Sequence, residues 1–465
     1  MSDASVYYMP ASELIEGFRR RELSPVEVAQ ATLDRIERLN PKLNAFVTVT
    51  PERALEDARR AEAAYGTGEP PALAGVPVSI KDLVPTKGIR TTRGSLLEPN
   101  WVPDVDPVFV QRLYDAGAVM LGKTNTPEGG WKGETTNRVA GTTRNPWNLE
   151  RTPGGSSGGA SAAIAAGLGP LAQGGDGAGS IRIPAAFAGI FGHKPSFGRV
   201  PYPGSSPGLL AHTGPMTRTV RDAALMLDVM AGPDASDRYS LSNAPSFAED
   251  IEGGIAGLRV AWSLDLGYAE VEPEIAELTT AAARKFEDLG CHVEEAHPGL
   301  DDPWQIIDVL FALGQAGGVA DRLDDIGHLL DQGRLRQIER ALRWTAVDVQ
   351  QAMSARDDYW DGMRAFFESY DLLLTPTVPL APFAAGTDYP ATINDVEMSY
   401  LSWTPFTYPF NLTGQPSASV PCGFTSDGLP AGLQITGKWR DDATVLRAAA
   451  RFEEAAPWSD ATPSI

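Results

Sequence analysis

Apolar positions recur at helical spacing from the start of the chain: residues 11–21 read as one helix, and Ser24-Pro25-Val26-Glu27 opens a second that runs toward Leu39. Serine at the N-cap, proline at the first helical position and an acid in the first turn together mark a helix start. Residues 45–50 read as a short strand and 51–66 as an Ala/Glu/Arg-rich helix. A short apolar strand over 75–80 ends abruptly at Lys81-Asp82, followed by a helix over 108–116 and an extended segment over 119–121.

The second half repeats this alternation. Residues 258–262, a helix opened by Pro273 and closed at Gly290, and residues 291–295 predict a right-handed βαβ crossover. Residues 303–368 are mostly helical, and in the last of these helices Val349, Met353, Trp360, Met363 and Phe367 share one face, predicted to pack in the core. Strands follow at 371–376, 417–421 and 431–435, and a helix over 441–454 closes the chain. Strands alternating with helices, without an internal repeat, predict an α/β fold: one large domain over 1–465 whose central mixed, mostly parallel sheet is covered by helices on both faces. Its parts are an N-terminal helical region (1–70), a core (71–225) that holds Gly- and Ser-rich motifs, and a helical excursion (300–370).

Composition narrows the function. Lys and Arg total 39 against 60 Asp and Glu, a net charge of −21, so the surface field repels phosphate backbones and anionic lipid and argues against a nucleic-acid partner. Two cysteines, Cys291 and Cys422, make no disulfide framework. The N-terminal residues show no apolar leader core, and no run approaches the roughly 18 apolar residues of a membrane span, so a cytoplasmic location is expected. No H-E-x-x-H or Cys/His ligand spacing is present, and neither a metal nor a cofactor is expected.

The chemistry concentrates in residues 141–215, rich in Gly, Ser, Ala and Pro yet interrupted by apolar runs. Gly154-Gly-Ser-Ser-Gly-Gly159 is followed, 24 positions after Ser156, by Asp176-Gly-Ala-Gly-Ser-Ile-Arg182. Ser180 thus lies among residues with almost no side chain, where the N–H groups of Gly177, Ala178, Gly179 and Ser180 can face one developing oxyanion. The helix expected over 181–188 would add its positive N-terminal end. Each such donor typically contributes about 2.7–4 kcal/mol to transition-state stabilisation. A phosphate cradle is the competing use of such a loop, but the chain has no G-x-x-x-x-G-K-[ST].

A serine nucleophile needs a base. No G-x-S-x-G elbow precedes an Asp and a His in hydrolase order, and His193 and His212 are read as structural. Lys81, at the end of its strand, is the candidate, since Ser-Lys pairs are a known variant of the triad. As a base it must be neutral, and lowering a lysine from about 10.4 to near 7 costs roughly 4.6 kcal/mol, which demands burial. A salt bridge to Asp82 is the competing role, although adjacent strand residues point to opposite faces.

These residues resemble the amidase signature family. The likeness is carried by residues 75–84, 122–128, 141–148, 153–167, 174–186, 192–200, 214–224 and 371–377, and extends over essentially the whole chain. It implies the amidase signature fold and a Ser-cisSer-Lys triad in which Ser180 matches the nucleophile, Ser156 the cis-serine and Lys81 the base. It further implies an oxyanion loop at Gly177, Ala178 and Gly179, and a substrate-contacting carbonyl at Gly130. The implied activity is hydrolysis of a small carboxylic or aryl amide to acid plus amine or ammonia, without cofactor, and a homodimer is compatible with the scaffold. The family's common G-T-D-T-G-G-S stands here as Gly174-Gly-Asp-Gly-Ala-Gly-Ser180, which alters pocket shape while keeping the backbone donors. The family also includes the amide-hydrolysing component of the glutamine-dependent Glu-tRNA amidotransferase, the alternative reading; Ile181-Arg-Ile-Pro184 and Gly129-Gly-Trp131 look unlike a polar glutamine site. A catalytically dead scaffold would lack a triad member, and all three are present. Trp131, the segment from Trp304 to Phe311, Trp344 and Trp360 are expected to wall an acyl or aryl pocket.

Overall fold

The computed structural model describes residues 6–202, 209–242 and 245–465. The first five residues of the segment read for a leader, and positions 203–208 of the Gly-rich stretch, lie outside these. The second helix begins where its end is chemically closed. Ser24 Oγ accepts from the N–H groups of Val26 and Glu27 at 3.2 and 3.3 Å, and Pro25 occupies the first position, where no N–H is needed. The helix Pro25–Leu43 runs a turn beyond the expected end and stops where Asn44 turns left-handed at φ 53°.

Among the described residues, eleven strands form the central sheet: β1 (Phe46–Val49), β2 (Pro77–Lys81), β3 (Val119–Thr124), β4 (Leu171–Asp176), β5 (Phe191–Lys194), β6 (His212–Thr217), β7 (Arg259–Trp262), β8 (His292–Glu295), β9 (Leu372–Pro376), β10 (Ser417–Phe424) and β11 (Pro430–Gly437). Their spatial order is β1-β3-β2-β4-β6-β5-β10-β11-β9-β7-β8. The sheet is mixed, as expected, but not mostly parallel: the parallel pairs lie toward its two ends, β3-β2-β4 on one side and β9-β7-β8 on the other. The middle, from β4 to β9, is antiparallel throughout. The five-residue connection between β10 and β11 is too short for a parallel crossover and forces the antiparallel sense of that pair. The predicted βαβ unit is present as β7, the helix Pro273–Asp288 and β8.

Strand periodicity divides the core between the two faces. Met120, Leu171, Leu372 and Leu374 enter one large cluster with Val220, Phe286 and Val445 from the helices covering that face. Their neighbours turn the other way: Val119 and Leu121 pack with Leu33 and Ala58, Ala172 with Ile164 and Ala185, and Leu373 with Met363 and Phe367.

The helical excursion comprises Trp304–Ala316, Gln332–Ala341 and Ala346–Ser369 with short turns between them. In Ala346–Ser369 the buried residues are Ala352, Tyr359, Met363 and Phe367. Of the face predicted for the core, Met363 and Phe367 are buried, whereas Met353 is 47% exposed and Trp360 stacks edge-on against the partly exposed Trp439. The actual buried stripe is rotated toward Tyr359, because this helix packs against the helix Trp304–Ala316 and against Ala261, Leu373, Phe406 and Phe410.

Candidate active site

Ile80 points into the larger core cluster, so alternation turns Lys81 to the opposite face. There it is fully buried, with Nζ 2.7 Å from Ser156 Oγ, 2.8 Å from Ser157 Oγ and 3.3 Å from the Gly175 carbonyl. Asp82 faces away and accepts from the Thr92 N–H and, at 2.5 Å, from the Thr92 hydroxyl. Burial lowers Lys81 from 10.5 to about 7, against the upward pull of Asp176.

The two serines precede the helix Gly158–Ala165, and the peptide between Gly155 and Ser156 is cis. Close packing holds this segment: a Cβ at Gly159 would lie 2.2 Å from the Asn125 nitrogen. The Ser157 hydroxyl donates to the Gly175 carbonyl at 3.1 Å and accepts from the Gly175 N–H at 3.2 Å, clamping the serine loop to β4.

Ser180 follows β4 and lies just ahead of the helix Arg182–Ala188. Asp176, at the end of β4, organises the loop between them. Its carboxylate accepts from the Gly179 N–H at 2.7 Å, the Ile181 N–H at 3.2 Å, and Arg182 Nε and Nη2 at 3.0 and 3.1 Å. Burial pushes this carboxyl up, but the Arg182 guanidinium, Lys194 and the Asn411 amide outweigh it and hold the group well below the usual carboxylate range. Arg182 in turn donates to Thr407 O, Gln434 Oε1 and Asn411 Oδ1 at 2.9, 2.9 and 2.6 Å.

A cavity of about 140 Å³ brings together Lys81, Ser156, Ser180, Gly130 and Gly177, walled by Leu83, Tyr202, Leu210, Leu310, Phe311 and Gln315. A side chain at Gly130, whose φ is 72°, would meet Leu83 Cδ1 at 2.9 Å and Ser156 Oγ at 3.2 Å. Two candidate residues stand elsewhere than expected. The Gly179 N–H is taken by Asp176, so among the expected donors those of Gly177, Ala178 and Ser180 make no hydrogen bond within the described residues. Trp131 is buried behind the cavity rather than lining it: it stacks on Tyr400 at 6.2 Å and fills the space over Gly333, where a Cβ would come within 2.2 Å of its ring.

Of the aromatic segment, Phe311 reaches the cavity, while Trp304 packs on Tyr400 and Tyr408, and Trp344 and Trp360 line grooves elsewhere. His193 bonds Asp442 at 3.3 Å, away from the cavity. His212 adjoins the cavity, yet its Nδ1 bonds the Leu210 carbonyl at 2.7 Å, and burial keeps it well below the ordinary histidine range, hence neutral. Sequence reasoning gave no role to Ser157, Asp176, Arg182 or Gln315. Asp176 and Arg182 flank Ser180 in the motif itself, a charge pair inside an otherwise neutral loop; Gln315, within an apolar helix, gave a fainter signal. Among the described residues no group of three or more His, Cys, Asp or Glu is placed to hold a metal ion, and no helix is long and apolar enough to cross a membrane.

The arrangement is a buried, neutral-leaning lysine joined to a serine at the mouth of an amide-lined loop, and the chain's relatives share its class. A family model described as Amidase matches residues 27–446. The chain is 41% identical to an acylamidase of Rhodococcus erythropolis, covering 100% of this chain and 99% of that one. It is 37% identical to the A component of the glutamyl-tRNA(Gln) amidotransferase of Moorella thermoacetica over 99% of both. The fold matches the crystal structure of a bacterial aryl acylamidase of the amidase signature enzymes with a TM-score of 0.93, at 35% identity and over 98% of each chain. The chain belongs to the amidase signature family, whose enzymes hydrolyse amide C–N bonds.

Proposed function

We propose that this protein hydrolyses a small carboxylic or aryl amide to an acid and an amine or ammonia through an acyl-enzyme on Ser180. The observation that carries this reading is the set of contacts around Lys81 Nζ. A neutral lysine has two N–H donors and one lone pair. The Gly175 carbonyl only accepts, and Ser157 gives its own proton to that carbonyl, so both lysine donors are taken, by Ser157 Oγ and by Gly175 O. The lone pair is left for the Ser156 hydroxyl at 2.7 Å.

Ser156 passes its proton to Lys81 as it takes the proton of Ser180, whose Oγ attacks the amide carbonyl carbon. The resulting oxyanion faces the N–H groups of Gly177, Ala178 and Ser180. Collapse breaks the C–N bond, and the Lys81 proton returns through Ser156 to the leaving nitrogen. Water then attacks the ester along the same relay and releases the acid. A cavity of about 140 Å³ is close to the roughly 150 Å³ that accommodates benzene, which supports a short acyl or a single aryl group.

The second reading, the amide-hydrolysing component of a Glu-tRNA amidotransferase, is favoured by the 37% identical relative. Against it, the charged side chains lining the cavity are Lys81 and Asp176, and Asp176 is held by Arg182, so neither the α-carboxylate nor the α-ammonium of glutamine finds a free counter-charge. Covalent labelling with a fluorophosphonate followed by peptide mapping tests the nucleophile: label on Ser180 is expected, and label on another residue overturns the assignment. An amide library and a glutaminase assay on the purified chain separate the two readings, since glutamine turnover that needs an added partner would replace the stand-alone amidase.

A further inference from the structure

The helix Trp304–Ala316 brings one polar side chain, Gln315, to the cavity wall beside Leu310, Phe311 and Gly314. Two neighbours fix which end of its amide is which. Arg334 Nε, which can only donate, lies 3.2 Å from Gln315 Oε1; the Gly129 carbonyl, which can only accept, takes one Nε2 hydrogen at 3.4 Å. Reversing the amide would set donor against donor and acceptor against acceptor. Arg334 is itself anchored, because its Nη1 bonds Glu128 at 3.1 Å and Glu128 also accepts from the Ser95 hydroxyl at 2.6 Å. The chain Ser95-Glu128-Arg334-Gln315 thus ties the core to the helical excursion and ends at the cavity.

So held, the amide keeps a second Nε2 hydrogen that no acceptor among the described residues takes, in a wall adjoining Gly130. The neighbouring wall is apolar, from Leu83, Leu210, Leu310 and Phe311, so this donor is the polar group a substrate meets in that part of the wall. We infer that Gln315 is a specificity-determining residue whose Nε2–H donates to the substrate, selecting amides that carry a hydrogen-bond acceptor, such as an ether or carbonyl oxygen, on the group lodged beside Leu310 and Phe311. The inference rests on the reading of Ser180 as an amidase nucleophile.

The test uses amide pairs matched in shape that differ by an oxygen for a methylene: methoxyacetanilide against butyranilide for the acyl side, and the acetamides of 3-methoxyaniline and 3-ethylaniline for the amine side. The ratio of kcat/KM within each pair is compared between wild type and Gln315→Met, which cancels the intrinsic reactivity of the substrates. In one pair the wild-type preference for oxygen is expected to exceed that of the variant by roughly three- to tenfold, the effect of one neutral hydrogen bond. Gln315→Glu keeps an acceptor for Arg334 while offering the cavity no donor, so it should lower the same ratio and carries the test should methionine disturb the packing. Equal ratios in wild type and both variants, with fluorophosphonate still labelling Ser180, overturn the role of Gln315. A wild type that neither labels at Ser180 nor turns over any amide overturns instead the amidase reading on which it rests.

Discussion

Replacing Lys81 by methionine keeps a buried unbranched stem and removes the titrating nitrogen, so it isolates what the proposed base does. With Lys81 lowered from 10.5 to about 7 by burial, half of it is neutral at pH 7 and about 1% at pH 5. The wild-type rate of Ser180 labelling and kcat/KM for an anilide should therefore fall about tenfold per pH unit below 7 and level off above it. Lys123 and Glu453 are also brought to about 7 by burial, so the wild-type profile alone does not assign the limb. In Lys81→Met the plateau should drop by roughly 10²–10⁴, the usual worth of a general base, and the acid limb should vanish. A variant that retains a limb with the same midpoint refutes the reasoning, because another group would then control the nucleophile. Stability supplies an independent check. Between about 7 and 10.5 the unfolded chain binds a proton at this lysine that the folded chain does not, so wild-type stability rises with pH across that window. Below 7 both states are protonated and the full cost of about 5 kcal/mol is present; Lys81→Met should gain up to this amount near pH 6 in chemical denaturation, and the gain should disappear above 10.5.

Three further outcomes follow from packing around the site. Arg182→Met strips the buried Asp176 of its ion pair and should lower stability by about 3–5 kcal/mol, read as the denaturation midpoint; an unchanged midpoint would show that the carboxylate finds another partner. Gly179→Ala places a Cβ 2.4 Å from Thr407 Oγ1 at a φ of 122°, so kcat should fall by roughly 10²–10³ as the donor loop is displaced, and near-normal kcat would contradict the loop's role. Trp131→Ala should cost about 3–5 kcal/mol through the cavity it leaves while preserving the order of preference among aryl and aliphatic amides, whereas a reordered preference would return Trp131 to the pocket wall.

Which parts of this protein are legible in its sequence follows from where each signal is stored. Strands with clean apolar runs, such as Pro77–Lys81 and Leu372–Pro376, announce themselves through periodicity. The strands Leu171–Asp176, Phe191–Lys194 and His212–Thr217 do not, because glycine and proline occupy positions where an alternating pattern would place apolar side chains. Those small residues are required by close approach: a Cβ at Gly192 would lie 2.7 Å from Ala185 Cβ, and one at Gly214 would lie 2.2 Å from the His193 carbonyl. What lets the helix after Ser180 press against the sheet is therefore also what hides the sheet's middle, and with it the antiparallel half of the pairing.

The site shows the same division. Ser156 and Ser180 lie in short motifs, and the burial of Lys81 follows from the strand that ends on it, but the state of that lysine depends on residues distant in sequence. Asp176 pulls Lys81 toward its charged form. Arg182 offsets that pull by neutralising the carboxylate, and it is seated there by Thr407, Asn411 and Gln434, 225 to 252 positions away. Burial lowers Lys81 to about 7 against the pull of Asp176, and the carboxylate that exerts this pull is already paired with Arg182. On this argument Arg182 reaches the reaction through Asp176, and a conservative Arg182→Lys, which keeps the charge but loses the fork, should raise the midpoint of the acid limb above that of wild type even where the protein remains folded; an unmoved midpoint would mean that burial alone sets the lysine.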